Sequence, residues 1–296
     1  MNSAGLAPSD PTTPSEERAA EAAEIHLHDA SPDLPTQPDR RSTAPAEHPL
    51  PPVDAALAES DEPGPLLTAG QTADVFSLDD HHVLRRYRSG RDASPEVRLL
   101  RHVVAHGFPA PAVLQASGPD LVMERLHGPT LLQALAAGEV SITDAAEILT
   151  DLHSRLHAIP APEGWSPGQP DVWPLVVSGP TVVHLDLHPG NVILTESHGP
   201  ALVDWANART GTAQLDVALT ALIVAEVAVD AGGVYSQAAR ALLAALLHAT
   251  DVDLLPALDD AAVLRGKDPS LVPGERELVP EAAVLIRDLV EVATRA

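Results

Sequence analysis

The sequence predicts an α+β protein in two parts, a small β-rich lobe followed by a larger, mostly helical one. Three observations carry this. Between Val75 and Leu126 the chain reads in order as a hairpin, a helix and two strands. From Leu131 onward helical spacing of apolar residues dominates. Within that helical half one short hairpin, "NVILT" to "ALVDW", carries the polar motifs.

Residues 1–64 read as an acidic, proline-rich tail, residues 65–126 as the small lobe and residues 127–296 as the helical lobe. Met1 to Ser60 holds ten of the 29 prolines and eleven acids against three arginines, with almost no apolar periodicity. Such a segment buries too little surface to offset its ordering entropy, so disorder is expected. "SEERAAEAAE" from Ser15 has good helix formers but no apolar stripe wide enough to dock.

In the small lobe, "VFSLDDHHVLRRY" flanks an Asp79-Asp80-His81 turn with apolar and β-branched residues, as a hairpin does. "ASPEVRLLRHVVAHG" then predicts a helix with Ser94 as N-cap, Pro95 at the first helical position and Gly107 as stop. "APAVLQASGPDLVMERL" predicts two short strands around a Gly-Pro-Asp turn. In the helical half, "LLQALAAG" and "TDAAEILTDLHSRLHAIP" are helices, and a Pro/Gly/Trp-rich loop from Ala161 to Pro180 leads to the strand "TVVHL". Trp165 and Trp173 are expected to anchor that loop. "DVALTALIVAEVAV" from Asp216 reads as a buried helix, too short and too interrupted by Glu226 to span a bilayer. "ARALLAALLHA" and "PEAAVLIRDLVEVATRA" complete the helices.

The formal net charge of -24 leaves the folded part strongly acidic even without the tail. A phosphate backbone needs a basic face, so nucleic acid is not expected as a partner. The field favours cationic small molecules instead. With no cysteine, disulfides and thiolate metal sites are excluded. The N-terminus shows neither a basic nor an apolar signal region, so a cytoplasmic protein with no membrane segment is expected.

The chemistry concentrates in "VVHLDLHPGN", Val182 to Asn191, and in "ALVDW", which ends on Asp204. Two readings compete. Alternation along a strand would put His184, Asp186 and His188 on one face as metal ligands, although Pro189-Gly190 breaks the strand at once and Asn191 and Asp204 stay unexplained. Alternatively, an Asp followed five positions later by Asn has the spacing of a phosphoryl-transfer loop. Asp186 then orients the acceptor, and Asn191 and Asp204 offer hard oxygens to Mg²⁺.

On these residues the chain resembles the aminoglycoside phosphotransferase family, relatives of the protein kinases that phosphorylate hydroxyls of small molecules. "EVRLLRHVVAHGFPAPAV", "LVMERLHGPTL", "LHSRLHAIP" and "QLDVA" follow in the family's order. The resemblance implies a two-lobed, protein-kinase-like fold with Asp186 as catalytic base, His188 either shaping the loop or neighbouring the acceptor, and Asn191 and Asp204 on Mg²⁺. His184 would buttress the loop and Asp216 anchor it. ATP or GTP would lie under the "AGQTADVF" loop with its single Gly70, with adenine at the backbone of Met123, Glu124 and Arg125.

The family's phosphate-gripping lysine is missing, because the only lysine is Lys267. Arg85 of "HVLRRY" stands in its place, positioned to pair with Glu96, while Arg86 points to the other face. The implied function is transfer of the γ-phosphoryl group of ATP or GTP to a small-molecule hydroxyl. The arginine and the poor glycine loop also admit a kinase-like nucleotide-binding protein with weak or no catalysis, and the three-ligand reading a metal-dependent hydrolase.

Overall fold

The computed structural model describes residues 63–295 apart from 71, 167–172, 174–177, 231–233 and 273. The acidic tail, including its Ser15–Glu24 segment, and the interior of the Pro/Gly/Trp loop lie outside the described residues.

An antiparallel sheet opens the fold, ordered β1-β2-β3-β5-β4: β1 Leu66–Ala69, β2 Ala73–Ser77, β3 His82–Tyr87, β4 Val113–Ser117 and β5 Asp120–Glu124. The β2–β3 hairpin turns at Asp79, whose Oδ1 accepts from the His81 amide at 2.7 Å, the side-chain-to-backbone bond that makes aspartate a turn residue. β3 is the central strand and almost wholly buried, so it can carry a charged residue inward only where that charge is paired.

Helix α1, Ser94–Ala105, buries Glu96, Val97, Leu99, Leu100 and Val103. Its N-cap is Ala93 rather than Ser94, which is already helical. Asp92 Oδ1 accepts from the Ser94 amide at 3.1 Å and from its hydroxyl at 2.8 Å, so the side chain that starts this helix lies two residues before Ser94, the N-cap the sequence suggests.

After the sheet come α2, Leu131–Ala137, and α3, Ile142–His157. A reciprocal Thr130–Gln133 capping box starts α2, and left-handed Gly138 ends it. Two small antiparallel ribbons follow. β6 Thr181–Val183 pairs with β9 Arg209–Gly211, and between them β7 Val192–Thr195 pairs with β8 Gly199–Leu202. The rest is helical: α4 Ala213–Val229, α5 Val234–Ala249, α6 Leu255–Gly266 and α7 Glu275–Arg295.

Helix α4 is apolar on every side and is the centre of the helical part, packed against α5, α6 and α7. Glu226, the acid that interrupts its apolar run, is buried and bonded to Arg265 at 3.0 Å; Arg265 in turn reaches Asp268 at 2.8 Å. The pairing is what lets an acid sit inside this helix. Among the described residues no helix is long and apolar enough to cross a membrane.

Candidate active site

The loop after β6 is suspended from α4. Asp216, in the first turn of α4, accepts the Leu185 amide at 2.7 Å and the His184 amide at 3.1 Å. It is fully buried, and burial alone would raise its pKa. The His153 and His157 rings beside it outweigh that and hold the carboxyl well below the usual carboxylate range. His157 Nε2 lies 2.8 Å from Asp216 Oδ2, whereas His153 Nδ1 stands off at 3.6 Å, beyond hydrogen-bond range. Farther along, Thr220 Oγ1 donates to the Leu187 carbonyl at 2.7 Å and contacts His153 Nε2 at 3.0 Å. Asp216 is the anchor the sequence leads one to expect; Thr220, His153 and His157 are not legible there as its partners. Their only signal was polar residues at helical spacing on otherwise apolar faces.

Thus held, the loop departs from strand geometry. Leu185 has φ 64°, and Asp204 has φ 59°; among the described residues they are the only non-glycine residues at positive φ. Left-handed backbone costs a non-glycine residue on the order of 1 kcal/mol and persists only where the surroundings impose it. Both cases adjoin the chemistry. The turn at Leu185 ends any strand alternation, and none of His184, Asp186 and His188 lies in β6, so the three-ligand strand face does not form. His184 instead turns inward, fully buried, with Nε2 on the Val203 carbonyl at 3.1 Å. Burial pushes its pKa down to about 4.

Asp186, His188 and Asn191 come together on the partly open side. Asn191 Nδ2 donates to the Asp186 carbonyl at 2.9 Å and to Asp186 Oδ2 at 3.2 Å. Its amide group is thereby oriented, with Oδ1 left for other partners. His188 Nδ1 accepts from the Gly190 amide at 3.1 Å, capping the short 3₁₀ turn Pro189–Asn191, and its Nε2 lies 3.7 Å from Asp186 Oδ1.

A backbone bond from the Val203 amide to the Asn191 carbonyl, 2.9 Å, ties the end of the β7–β8 ribbon to this loop and brings Asp204 alongside. Trp205 fixes the reversal: buried, it donates to the Leu202 carbonyl at 2.9 Å and packs edge-on against His184 and Phe108.

Across from Asp204 stands Arg85 of β3. Its Nη1 reaches Glu96 Oε1 at 2.5 Å and the Tyr87 hydroxyl at 3.1 Å, and its Nη2 reaches Asp204 Oδ1 at 2.7 Å. Tyr87 also donates to the other oxygen of Glu96. Burial disfavours the charge on Arg85, but Glu96, Tyr87 and Asp204 more than offset it, so the guanidinium stays charged. Arg86 faces the other way and grips Asp120 with two bonds of 2.8 Å.

Gly70 follows β1, where a Cβ would stand 2.6 Å from the Ala73 carbonyl oxygen, so only glycine allows this close turn. Met123 is buried in β5. Two linker amides are already used: Glu124 donates to the Ala112 carbonyl at 2.9 Å and Arg125 to that of His81 at 2.7 Å. A base at this linker would therefore meet groups other than those two donors. Trp165 and Trp173 each anchor through the indole, to the Pro95 and Leu264 carbonyls, both at 3.1 Å.

The model of the phosphotransferase enzyme family matches residues 64–179 and 170–252, which takes in the sheet, the suspended loop and α4. The chain belongs to the phosphotransferase enzyme family. Among solved structures, an amicoumacin kinase in complex with AMP-PNP, Ca²⁺ and amicoumacin shares 14% identity, with 79% of this chain and 91% of that one covered and a TM-score of 0.51. A choline/ethanolamine kinase family protein from Mesorhizobium loti gives 15%, 80%, 93% and 0.50. A Plasmodium vivax ethanolamine kinase gives 11%, 75%, 83% and 0.50. At these identities the likeness establishes the kinase-like fold of this family member. No curated protein sequence matches the chain.

Proposed function

We propose that the chain transfers the γ-phosphoryl group of a nucleoside triphosphate, ATP or GTP, to a hydroxyl of a small molecule. The observation that carries this is the meeting of two clusters from opposite parts of the sequence, Asp186–Asn191 and Arg85–Glu96, at Asp204. The amicoumacin kinase solved with AMP-PNP agrees with a triphosphate donor and a small-molecule acceptor.

In this reading residues 65–126 form the nucleotide lobe and residues 127–296 the acceptor lobe. Asp186 accepts the acceptor's proton as its oxygen bonds to phosphorus; the bond to the β-phosphate oxygen breaks, leaving a nucleoside diphosphate. His188, beside Asp186, faces the acceptor. Arg85, held by Glu96, neutralises phosphate charge, and the close turn at Gly70 lets backbone approach the phosphates. Asn191 Oδ1 and the Asp204 carboxylate are hard oxygen donors of the kind Mg²⁺ takes, and they fit it. When bound, the ion supplies charge neutralisation on the phosphate oxygens. The acidic surface favours a cationic acceptor such as an aminoglycoside.

A second reading has one observation in its favour. Asp204 Oδ1 is already taken by Arg85, so a nucleotide-binding protein with weak or no transfer also fits. Calorimetric titration of ATP and of GTP with Mg²⁺, followed by a turnover assay on cationic hydroxyl compounds, separates the two. Mg²⁺-dependent binding lost in Asp204→Ala is expected, and Asp186→Asn should bind nucleotide normally while turnover falls about 10²–10⁴-fold. Binding without turnover on any acceptor favours the second reading; no binding at all sinks both.

A further inference from the structure

Away from this chemistry, two arginines stand with no carboxylate bonded to either among the described residues. Arg209, the first residue of β9, is only 5% exposed. Among the described residues its acceptors are carbonyls alone, Ala208 at 2.8 Å from Nη1 and Trp173 at 3.3 Å from Nη2, and its buried Nε has no partner there. Arg91, in the connection from β3 to α1, is half-buried and lies over the Tyr87 ring, 4.0 Å from its centroid. Its Nη2 donates to the Tyr87 hydroxyl at 2.7 Å and to the Ala206 carbonyl at 3.1 Å.

Both guanidiniums thus hang on the short stretch just after Asp204, one from Ala206 and one from Ala208. They are near enough to repel: burial first, then the charge of Arg91, pushes the pKa of Arg209 down to about 10, which still leaves it charged at neutral pH. Among the described residues, Glu96, the acid whose charge acts on Arg209, cannot serve them, because its oxygens are taken by Arg85 and Tyr87. A buried cation satisfied only by carbonyls is costly, more so with a second cation beside it. Guanidinium forks are matched geometrically by the oxygens of a tetrahedral oxyanion.

We propose that Arg209 and Arg91 form an oxyanion site for a phosphate group, free or as a small phosphate monoester, next to the Arg85–Glu96 pair but separate from it. Arg209 Nε supplies a donor with no partner among the described residues, and half-buried Arg91 is the more exposed of the two. Neither arginine takes part in the proposed transfer, so the site stands or falls independently of that reading.

The test is thermal unfolding of the full chain at fixed pH and ionic strength, with chloride replaced stepwise by inorganic phosphate, and in a second series by glycerol 3-phosphate. A saturable rise of a few degrees in Tm is expected in either series, and the series that gives it identifies the source. In Arg209→Leu the rise should vanish, while Tm in chloride stays equal or increases, since a buried unpaired cation has been removed. Arg91→Gln, at a half-buried position, should weaken the response and serves if Arg209→Leu does not fold. No saturable rise in the wild type, or an equal rise in the wild type and both variants, overturns the proposal.

Discussion

At Arg85 one guanidinium serves three acceptors, Glu96, Tyr87 and Asp204, and a lysine at this position would offer its donors from a single point. The arginine therefore changes how the sheet is coupled to the loop and, in the proposed reading, what grips phosphate. A second residue gives the protein a pH dependence. His184 has its folded pKa pushed down to about 4 by burial, so the native state keeps the ring neutral. As pH falls below about 6.5, the unfolded chain takes up a proton that the native chain refuses, and stability is lost down to about pH 4. A loss of about 3 kcal/mol across that window is expected from this group, measured by denaturant unfolding at each pH. His184→Gln should flatten that part of the profile; an unchanged profile would mean another group carries it.

At the scale of elements, the decisive arrangement is the loop between β6 and β7, hung from α4 by Asp216 and Thr220. The sequence made the "HLDLHPGN" loop and Asp216 legible because their spacing survives as a local pattern. It could not show that Leu185 and Asp204 adopt left-handed backbone, since leucine disfavours it, aspartate takes it up only in a minority of its positions, and the surrounding bonds impose it here. Asp216→Asn leaves one oxygen for two buried amides, sets an NH₂ donor against the other, and removes the charge the histidines face. A stability loss of about 2–4 kcal/mol is expected from denaturant unfolding. Turnover should fall together with it, while a variant of undiminished stability would show that the loop is held by other bonds.

Over the whole molecule the excess of acids is the most general property, and it acts at distances beyond any single contact. If it steers a cationic acceptor, the KM for that acceptor should rise severalfold between about 0.05 and 0.5 M salt as the Debye length shrinks, whereas a neutral hydroxyl acceptor should show little change. Equal salt dependence for both would assign the field to solubility alone. The buried Glu226–Arg265–Asp268 group belongs to the same scale: it joins α4 to α6 through charges that burial makes costly unless all three are kept together.

From the sequence alone came the α+β order, the sheet-then-helices division and the family resemblance, and on it the proposed set of Asp186, Asn191 and Asp204, because periodicity and short spacings are local properties that a linear chain preserves. The first helical residue of α1 was misplaced by one, as a proline fits either of the first two positions and only the Asp92 bonds distinguish them. Everything that depends on residues far apart was decided by the tertiary structure. The sequence separations of 119 from Arg85 to Asp204 and of 31 from Leu185 to Asp216, and the approach of Arg91 to Arg209 around one short turn, are closed by burial and hydrogen bonding. No local pattern records which distant partner a buried charge will find.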